Sequence, residues 1–313
     1  MADKKTKTDV IIVGAGPAGL SAAIWCSDLG LDAVVLENGP EKGGQLLNIY
    51  NQITNYPGLA ARNGRELRDR FLATERNSRT NFFHNVKVID IDLDEISVRA
   101  ADGREYDGRA ILLATGVRRR QLGIPGESEF LGKGVLISGV RDRLDVSEKT
   151  VAVIGGGDAA LENSAILAET AKRVYVIHRR EDFRARREFV TRAGANPKVK
   201  LILNTVVSAI RGDDNVGSVD ISDNATGTIR SLQVDRVLIR IGVEPNSELL
   251  QGKADLDGAG YVVVDRTGLT SVPNLYAAGD VAHPVSPTIV TSVGSAAAAI
   301  KAIARRFSEE VIQ

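Results

Sequence analysis

The fold is decided by residues 8–38, which read TDVIIVGAGPAGLSAAIWCSDLGLDAVVLEN. A short apolar run is followed by a glycine-rich turn, an alanine-rich stretch and a second apolar run that ends at an acidic residue. This order predicts a strand, a turn, a helix and a second strand, which together form a βαβ unit. Such a unit favours an α/β fold with a dinucleotide site at the turn.

The glycine turn has the spacing Gly14-x-Gly16-x-x-Gly19. The first glycine permits the tight turn, the second lets the backbone approach a pyrophosphate, and the third allows the helix to pack closely on the strand. Pro17 and Ala18 lie at the start of the helix, whose N-terminal N–H groups bind phosphate. Glu37 ends the second strand, where its carboxylate can accept hydrogen bonds from both hydroxyls of a ribose.

The same unit occurs a second time at residues 150–180, which read TVAVIGGGDAALENSAILAETAKRVYVIHRR. The turn now has the spacing Gly155-x-Gly157-x-x-Ala160, and Asp158 and Ala159 lie at the start of the helix. Alanine in the third place is still small enough for close packing. The repeat predicts a second dinucleotide site in the same chain.

The second unit differs from the first at the end of its second strand, where basic residues replace the acid. The residues there are His178, Arg179 and Arg180, followed by Arg184. An acid would repel a 2′-phosphate, whereas guanidinium groups bind one through paired hydrogen bonds. We therefore expect NADP(H) rather than NAD(H) at this site. A solvated basic face is the alternative, because further arginines follow at positions 186, 187 and 192.

Each unit is closed by a later apolar run, at residues 111–117 for the first and 237–243 for the second. The simplest arrangement inserts the second unit into the first domain. We predict an α/β fold with two Rossmann-like, three-layer domains. Because two dinucleotide sites in one chain indicate hydride transfer from a nicotinamide to a flavin, we assign the domains accordingly. Residues 1–117 and 246–313 form the predicted FAD-binding domain, and residues 118–245 form the predicted NADPH-binding domain.

Composition excludes several other classes of protein. The 313 residues include 40 Lys and Arg and 40 Asp and Glu, and a neutral chain is a poor binder of nucleic acid or anionic membranes. Cys26 is the only cysteine, which excludes an intrachain disulfide. The three histidines have no spacing typical of metal ligands, so we expect no metal site. No apolar run is long enough to span a bilayer, and we expect a soluble, cytoplasmic protein.

With these motifs the chain resembles the low-molecular-weight thioredoxin reductase family, and the resemblance covers nearly the whole chain. It implies FAD and NADPH as cofactors and a homodimer built on the FAD domain. It also implies FAD contacts from several loops and from the start of the last helix. These contacts are Gly44, Gln45, Asn55, position 87 (Lys87), Ala114, Thr115, Gly116, Gly279, Asp280, Thr288 and Ile289. In the family, the aspartate of the Gly-Asp motif hydrogen-bonds the ribityl chain of FAD.

The chain departs from this family where the redox-active Cys-x-x-Cys would stand. An ungapped alignment places Ser138 and Arg141 at the two cysteine positions. Neither side chain can be oxidised to a disulfide, so dithiol transfer to thioredoxin is not expected. Tyr50 matches the position at which the related ferredoxin–NADP reductases carry a tyrosine stacked on the flavin. A tyrosine packed on the domain surface is the alternative for this residue.

We therefore expect an FAD-dependent NADPH oxidoreductase that passes hydride from NADPH to FAD and electrons to an external acceptor. Ferredoxin or flavodoxin, a quinone, free flavin and oxygen are candidate acceptors. No side chain stands out as a catalytic acid or base, because the flavin itself carries the chemistry. Two alternatives remain: a non-catalytic flavin and NADPH sensor or partner-binding protein, and a reductase that borrows thiols from a partner or a small dithiol.

Overall fold

The structure is a computed structural model, and it describes residues 6–74 and 79–312. The chain divides into two compact units. The first unit comprises Met1–Arg118 and Glu244–Gln313, and the second comprises Arg119–Val243. The second unit is therefore inserted in sequence between two segments of the first.

Helices and strands alternate at the start of each βαβ unit, and runs of consecutive strands make up much of the remaining chain. The strands are β1 (Thr6–Lys7), β2 (Val10–Val13), β3 (Ala33–Leu36), β4 (Thr80–Phe83), β5 (Val88–Asp92), β6 (Ser97–Ala100), β7 (Glu105–Asp107), β8 (Ala110–Leu113), β9 (Val117–Arg119), β10 (Thr150–Ile154), β11 (Arg173–Ile177), β12 (Val199–Ile202), β13 (Thr205–Gly212), β14 (Val216–Asp223), β15 (Ile229–Gln233), β16 (Arg236–Ile239), β17 (Val243–Pro245) and β18 (Leu275–Ala277). The helices are α1 (Pro17–Asp28), α2 (Gly64–Thr74), α3 (Asp158–Ala168), α4 (Arg187–Ala195) and α5 (Ile289–Ile312), and short 3₁₀ helices cover Gly44–Asn48 and Glu248–Leu250.

The first unit is built on a parallel sheet in the order β18-β8-β2-β3-β4. Strands β2, β3 and β8 are buried along their whole length, as expected when both faces of a parallel sheet are covered. Helices α1 and α5 pack on one face through small residues such as Ala22 and Ala299. The sheet β1-β7-β6-β5 covers the other face, where Tyr106 and Val98 join the core with Ile11.

The second unit repeats this plan with a parallel sheet in the order β12-β11-β10-β16. Helix α3 packs on one face, where Leu167 joins a core with Val153. The antiparallel sheet β13-β14-β15 covers the opposite face, where Val219 and Ile221 contact the side of the sheet that carries Ala152. Both units are thus three-layer α/β structures, and the predicted fold class is confirmed.

The strand order determines where each glycine turn lies. In the first unit β2 pairs with β3 on one side and β8 on the other, and in the second unit β10 pairs with β11 and β16. The connections from β2 and β10 therefore leave the sheet at a topological switch point, where open α/β sheets bind ligands beyond the carboxyl ends of their strands. Across the described residues, no helix has the length and apolar character needed to cross a membrane.

Candidate dinucleotide sites

The first glycine turn follows β2, and two of its glycines, Gly14 and Gly19, occupy positions that accept only glycine. Gly14 has φ +105°, and a Cβ atom there would lie 2.5 Å from the carbonyl oxygen of Ala114. A Cβ atom on Gly19 would lie 1.9 Å from the carbonyl oxygen of Gly14. Because both clashes are with backbone, side-chain rearrangement cannot relieve them. The turn is held tightly against β8 and α1, as the spacing of the glycines predicted.

Two glycines face each other across the opening of this turn. Gly44 has φ +49°, and a Cβ atom on it would lie 2.8 Å from Cα of Gly16. A side chain would therefore fill the space over the N-terminus of α1, which begins at Pro17. A bare backbone cradle at a helix N-terminus suits a pyrophosphate, because N–H groups and the helix dipole both favour the negative charge.

A cavity of about 940 Å³ extends from this cradle through the first unit. Most of the residues predicted to bind the first dinucleotide line it: Gly14, Gly16, Pro17, Ala18, Glu37, Gly44, Gln45, Lys87, Ala114, Thr115, Gly116, Gly279, Asp280, Thr288 and Ile289. Gly19 lies behind the turn and packs against it. The cavity is large enough for a dinucleotide, and its lining is mainly backbone and apolar side chains with a few polar groups.

The carboxylate of Glu37 is fixed at the end of β3 by two backbone donors. Its Oε2 accepts a hydrogen bond of 2.7 Å from the N–H of Ala15, and its Oε1 accepts one of 2.7 Å from the N–H of Gly39. Each oxygen has a further lone pair for another donor. The arrangement fits the predicted contact with ribose hydroxyls, since the carboxylate lines the cavity in a single, preorganised position.

The motif at Thr115 and Gly116 is held by Asn246, which the sequence motifs did not single out as a site residue. Asn246 Nδ2 donates to the carbonyl oxygen of Thr115 at 2.8 Å, and Thr115 Oγ1 donates to the carbonyl oxygen of Asn246 at 2.7 Å. The N–H of Asn246 also donates to the carbonyl oxygen of Gly116 at 3.0 Å. Asn246 lines the cavity as well. These three bonds tie the returning chain to the end of the first segment.

Asp280 is a half-buried acidic group in the lining of this cavity. Burial raises the pKa of its carboxyl group above the ordinary value, while a hydrogen bond from Ser292 acts in the opposite direction. The Ser292 Oγ donates to Oδ1 at 3.1 Å, and the neighbouring N–H of Gly279 donates to Ser295 Oγ at 3.1 Å. Ser292 belongs to the first turn of α5, so this helix positions the Gly-Asp motif beside the cavity.

The structure does not bring Tyr50 and Asn55 to this cavity. Asn55 lines a separate hollow of about 420 Å³ formed by residues 54–60, and Tyr50 lines neither that hollow nor the 940 Å³ cavity. Instead, Leu46 from the 3₁₀ helix and Ile49, which directly follows that helix, line the larger cavity. Apolar walls from this helix have no motif of their own, which explains why sequence patterns missed them.

The second glycine turn repeats the geometry of the first. Gly155 has φ +142°, and a Cβ atom there would lie 2.0 Å from the carbonyl oxygen of Arg240. A Cβ atom on Gly157 would meet open space, so this position keeps the backbone at the N-terminus of α3 accessible. A cavity of about 670 Å³ begins here. It is lined by every residue predicted for the second dinucleotide: Gly155, Gly157, Asp158, Ala159, His178, Arg179, Arg180 and Arg184.

His178 is buried in the lining of this cavity and contributes little to the positive charge there. Its ring stacks on Phe183 with centroids 5.2 Å apart, and its Nε2 lies 3.1 Å from the carbonyl oxygen of Asp182. A Cβ atom on Gly156 would lie 2.3 Å from the ring, so the imidazole is packed directly against the turn. Burial lowers the pKa of His178 below its ordinary value, which favours the neutral imidazole at neutral pH.

The positive charge at this cavity comes from arginines instead. Arg179, Arg180 and Arg184 are exposed and line the cavity. Throughout the part of the chain that the structure describes, no carboxylate lies within salt-bridge distance of any of the three. Arg186 differs, because its Nε donates to Asp158 Oδ2 at 2.8 Å and its N–H donates to Oδ1 at 2.7 Å. Three uncompensated guanidinium groups at one end of a cavity suit an anionic ligand group.

Ser138 and Arg141 lie in a separate loop of the second unit. Asp142 Oδ2 accepts hydrogen bonds from the N–H groups of Ile137 at 2.7 Å and Ser138 at 2.9 Å. The guanidinium of Arg240, which also lines the second cavity, donates to the carbonyl oxygen of Ile137 at 2.6 Å. Ser138 is buried, and Arg141 is exposed beside Asp142. The loop is therefore held by backbone hydrogen bonds next to the wall of the cavity.

The cysteine and the possible metal ligands lie outside the two cavities described above or form no cluster among the described residues. Cys26 is fully buried on α1, and burial raises the pKa of its thiol to about 12. A thiol this basic is almost entirely protonated at neutral pH, so it is a poor nucleophile. Within residues 6–74 and 79–312, no group of three or more histidine, cysteine or acidic side chains could hold a metal ion.

Comparisons with known proteins agree with this architecture. The family model for pyridine nucleotide-disulphide oxidoreductases matches residues 8–302. The thioredoxin reductase of Treponema pallidum is 38% identical over 305 residues, covering 96% of this chain and 97% of that protein. The thioredoxin reductase of Mycolicibacterium smegmatis is 36% identical over 305 residues, covering 96% of each. The crystal structure of Lactococcus lactis thioredoxin reductase matches with a TM-score of 0.84 and 31% identity, covering 97% of this chain and 99% of that one.

Proposed function

Because the chain belongs to the pyridine nucleotide-disulphide oxidoreductase family, we propose that it is an NADPH-dependent flavoprotein oxidoreductase that works without a redox disulfide of its own. Family membership gives it FAD and NADPH as cofactors. The electrons leave to an external acceptor. Ferredoxin or flavodoxin, a quinone, free flavin and oxygen are the acceptors that the chemistry allows.

The observation that carries this proposal is the chain's cysteine content. An intramolecular dithiol needs two cysteines, and the 313 residues contain one. That residue, Cys26, is buried with a raised pKa, and the positions that align with the redox pair are Ser138 and Arg141. A hydroxyl and a guanidinium cannot exchange electrons with a disulfide. The names of the relatives therefore do not carry over as an activity.

We assign FAD to the first cavity and NADPH to the second. In the first, Glu37 would hold the ribose of the adenosine, the Gly16 and Gly44 backbones would border the pyrophosphate, and Asp280 would bind the ribityl chain. Bound FAD supplies the redox chemistry by taking up hydride from NADPH and releasing the electrons to the acceptor.

In the second cavity the chain's own residues select the nucleotide. The N-terminus of α3 would receive the pyrophosphate, and Arg179, Arg180 and Arg184 would bind the 2′-phosphate. Among the described residues no carboxylate lies within salt-bridge distance of these arginines, so their charge is available to a ligand, which supports NADPH over NADH. The same three arginines would serve an NADPH sensor equally well, so reduction of the flavin by NADPH is what decides between the enzyme and that alternative.

The test is an anaerobic titration of the purified, FAD-loaded protein with NADPH and, separately, with NADH, followed by flavin absorbance at 450 nm. We expect rapid bleaching with a preference for NADPH. Reoxidation with ferricyanide, a quinone, free flavin and a [2Fe–2S] ferredoxin would then rank the acceptors. Absence of bleaching with either nucleotide would refute the proposal and favour the binding-protein alternative.

The competing activity is disulfide reduction with thiols borrowed from a partner. NADPH oxidation with a small aromatic disulfide as acceptor, with and without added thioredoxin, tests it. We expect no turnover above the rate with oxygen, because no thiolate of this chain can reach the substrate. A homodimer is a further expectation of the family resemblance, and light scattering on the purified flavoprotein measures it directly.

A further inference from the structure

The arginine loop that follows β11 has no regular secondary structure, yet its backbone is held from outside the motif. The side chain of Asn224 donates from Nδ2 to the carbonyl oxygen of Arg179 at 2.7 Å. Asn224 lies between β14 and β15, more than forty residues further along the chain. No sequence motif for nucleotide binding includes this position.

A second bond from the same turn extends the attachment to the next arginine. The N–H of Asn224 donates to the carbonyl oxygen of Asn204 at 2.7 Å, and the N–H of Asn204 donates to the carbonyl oxygen of Arg180 at 3.2 Å. Asn204 has φ +50°, a conformation that asparagine tolerates better than most residues. The two asparagines therefore bracket the backbone carbonyls of both arginines.

The turn that carries Asn224 is itself well supported. Asp223 Oδ1 accepts hydrogen bonds of 2.9 Å from the N–H groups of Ala225 and Thr226. The backbone closes the turn through bonds from Asp223 to Thr228 at 3.1 Å and from Gly227 to Asp223 at 2.8 Å. These hydrogen bonds also lower the pKa of Asp223, which keeps the carboxylate ionised and the turn intact over the working range of pH. The hydrogen bonds of the turn therefore fix the position of the Asn224 backbone.

The far end of the arginine loop is anchored separately. The N–H of Arg184 donates to the carbonyl oxygen of Gly156 at 3.0 Å, and Arg186 is bound to Asp158. Between the two anchors, the side chains of Arg179 and Arg180 are exposed at the cavity. A backbone that is fixed before binding lowers the conformational entropy lost when these long side chains bind an anion, because only the side chains remain to be ordered.

From this geometry we propose that Asn224 is a positioning residue for NADPH selection, which holds Arg179 and Arg180 where a 2′-phosphate binds. The inference rests on the proposed function, because it concerns the second nucleotide of the same enzyme. The hydrogen bond is neutral and exposed, so its loss weakens discrimination without abolishing it. A net effect of about 3- to 10-fold on NADPH affinity corresponds to one such bond.

The test uses the FAD-loaded enzyme with Asn224→Leu, which keeps a side chain of similar volume and removes the N–H donor without adding a charge, and Asn224→Ala. The matched control is Thr226→Ala in the same turn, because the hydrogen bonds described for the Thr226 side chain go to Thr228 and Asp223 within the turn and none goes to the arginine loop. Ferricyanide reduction gives kcat and KM for NADPH and NADH. Calorimetry gives dissociation constants for 2′,5′-ADP and 5′-AMP, which report on the site without turnover.

We expect both Asn224 variants to raise KM for NADPH and the dissociation constant of 2′,5′-ADP by about 3- to 10-fold. The KM for NADH, the dissociation constant of 5′-AMP and kcat should stay within about twofold of the wild-type values. All of these quantities, including those for NADPH and 2′,5′-ADP, should stay within about twofold in the Thr226→Ala control. Parallel losses for both nucleotides, or no loss for either, would overturn the inference. Failure of the proposed function would instead be seen in the wild-type protein. That protein would not bind 2′,5′-ADP more tightly than 5′-AMP, or its flavin would not be reduced by NADPH.

Discussion

Removal of single arginines at the second cavity is the sharpest test of how this chain chooses its nucleotide. Arg179, Arg180 and Arg184 line the cavity with no carboxylate within salt-bridge distance in the described parts of the chain. Each guanidinium is therefore free to make a charge-assisted hydrogen bond to a 2′-phosphate. Such bonds contribute about 1.5–3 kcal/mol, and the exposure of these side chains favours the lower half of that range.

The expected result follows from that magnitude. Each single arginine-to-alanine change should raise KM for NADPH by about 10- to 40-fold, since about 1.4 kcal/mol corresponds to a factor of ten. The KM for NADH should change by less than about twofold, because NADH has no 2′-phosphate. The kcat at saturating NADPH should also persist, because under the proposed assignment these side chains would bind the adenosine end of the nucleotide, away from the reacting ring.

The assay is steady-state ferricyanide reduction at two salt concentrations, with Arg192→Ala as the matched control. Arg192 is exposed on α4 and does not line the cavity. In the wild type, KM for NADPH should rise with salt, and each variant should show a weaker salt dependence because one charge pair is gone. Equal losses for NADPH and NADH, or a loss in the control as large as in the variants, would refute the assignment of these arginines to the 2′-phosphate.

Three further predictions concern other parts of the molecule. Gly44→Ala should lower FAD retention after gel filtration by about tenfold or more, because the added Cβ would lie 2.8 Å from Cα of Gly16. Gly30→Ala is the control and should retain FAD, because Gly30 has a similar backbone strain at φ +74° but open space around it. Cys26→Ala should leave NADPH-dependent flavin reduction and acceptor turnover unchanged and cost about 1 kcal/mol in urea unfolding; a loss of turnover would contradict the proposal that no thiol takes part. Because the pKa of His178 is lowered in the folded protein, the unfolded chain binds a proton at this residue more readily. The free energy of unfolding should therefore fall as pH drops below about 6.5, by up to about 1.4 kcal/mol per pH unit. Urea titrations at pH 5.5 and 7.5 should show a smaller pH dependence for His178→Gln than for the wild type.

The sequence was most informative where the backbone itself imposes the residue. Gly14 and Gly155 have positive φ and lie against carbonyl oxygens, and Gly19 lies against the turn it supports. Only glycine satisfies these conditions, so the requirement is visible in the letters of the chain. Glu37 could also be predicted from the sequence, because its spacing from the first glycine turn places it at the end of the second strand of the βαβ unit. Such local rules predicted both turns and most of the residues that line the two cavities.

Sequence patterns did not predict the residues that reach the sites through long-range packing. Asn246 contacts the Thr115 loop across 131 residues, and Asn224 contacts Arg179 across 45. Tyr50 and Asn55 were expected near the flavin from motif position, but the cavity is lined by Leu46 and Ile49 instead. The path of a loop between two fixed elements depends on how its side chains pack. A sequence motif therefore does not predict which loop residues face the cavity.

His178 shows the same division within one motif. The sequence placed it with the arginines as part of the 2′-phosphate site, and it does line that cavity. The tertiary structure stacks its ring on Phe183 beneath the glycine turn, where burial favours the neutral form. Its contribution to charge therefore depends on its solvent exposure, which is a property of the folded chain.

The sequence by itself determined that this chain repeats a dinucleotide-binding unit and contains one cysteine, because both follow from the identity and order of the residues. Only the tertiary structure decided which side chains meet at each cavity, which arginines keep their charge for a ligand, and how deeply Cys26 is buried. The physical reason is that spacing along the chain governs local backbone geometry, whereas burial and electrostatics depend on neighbours that are distant in sequence.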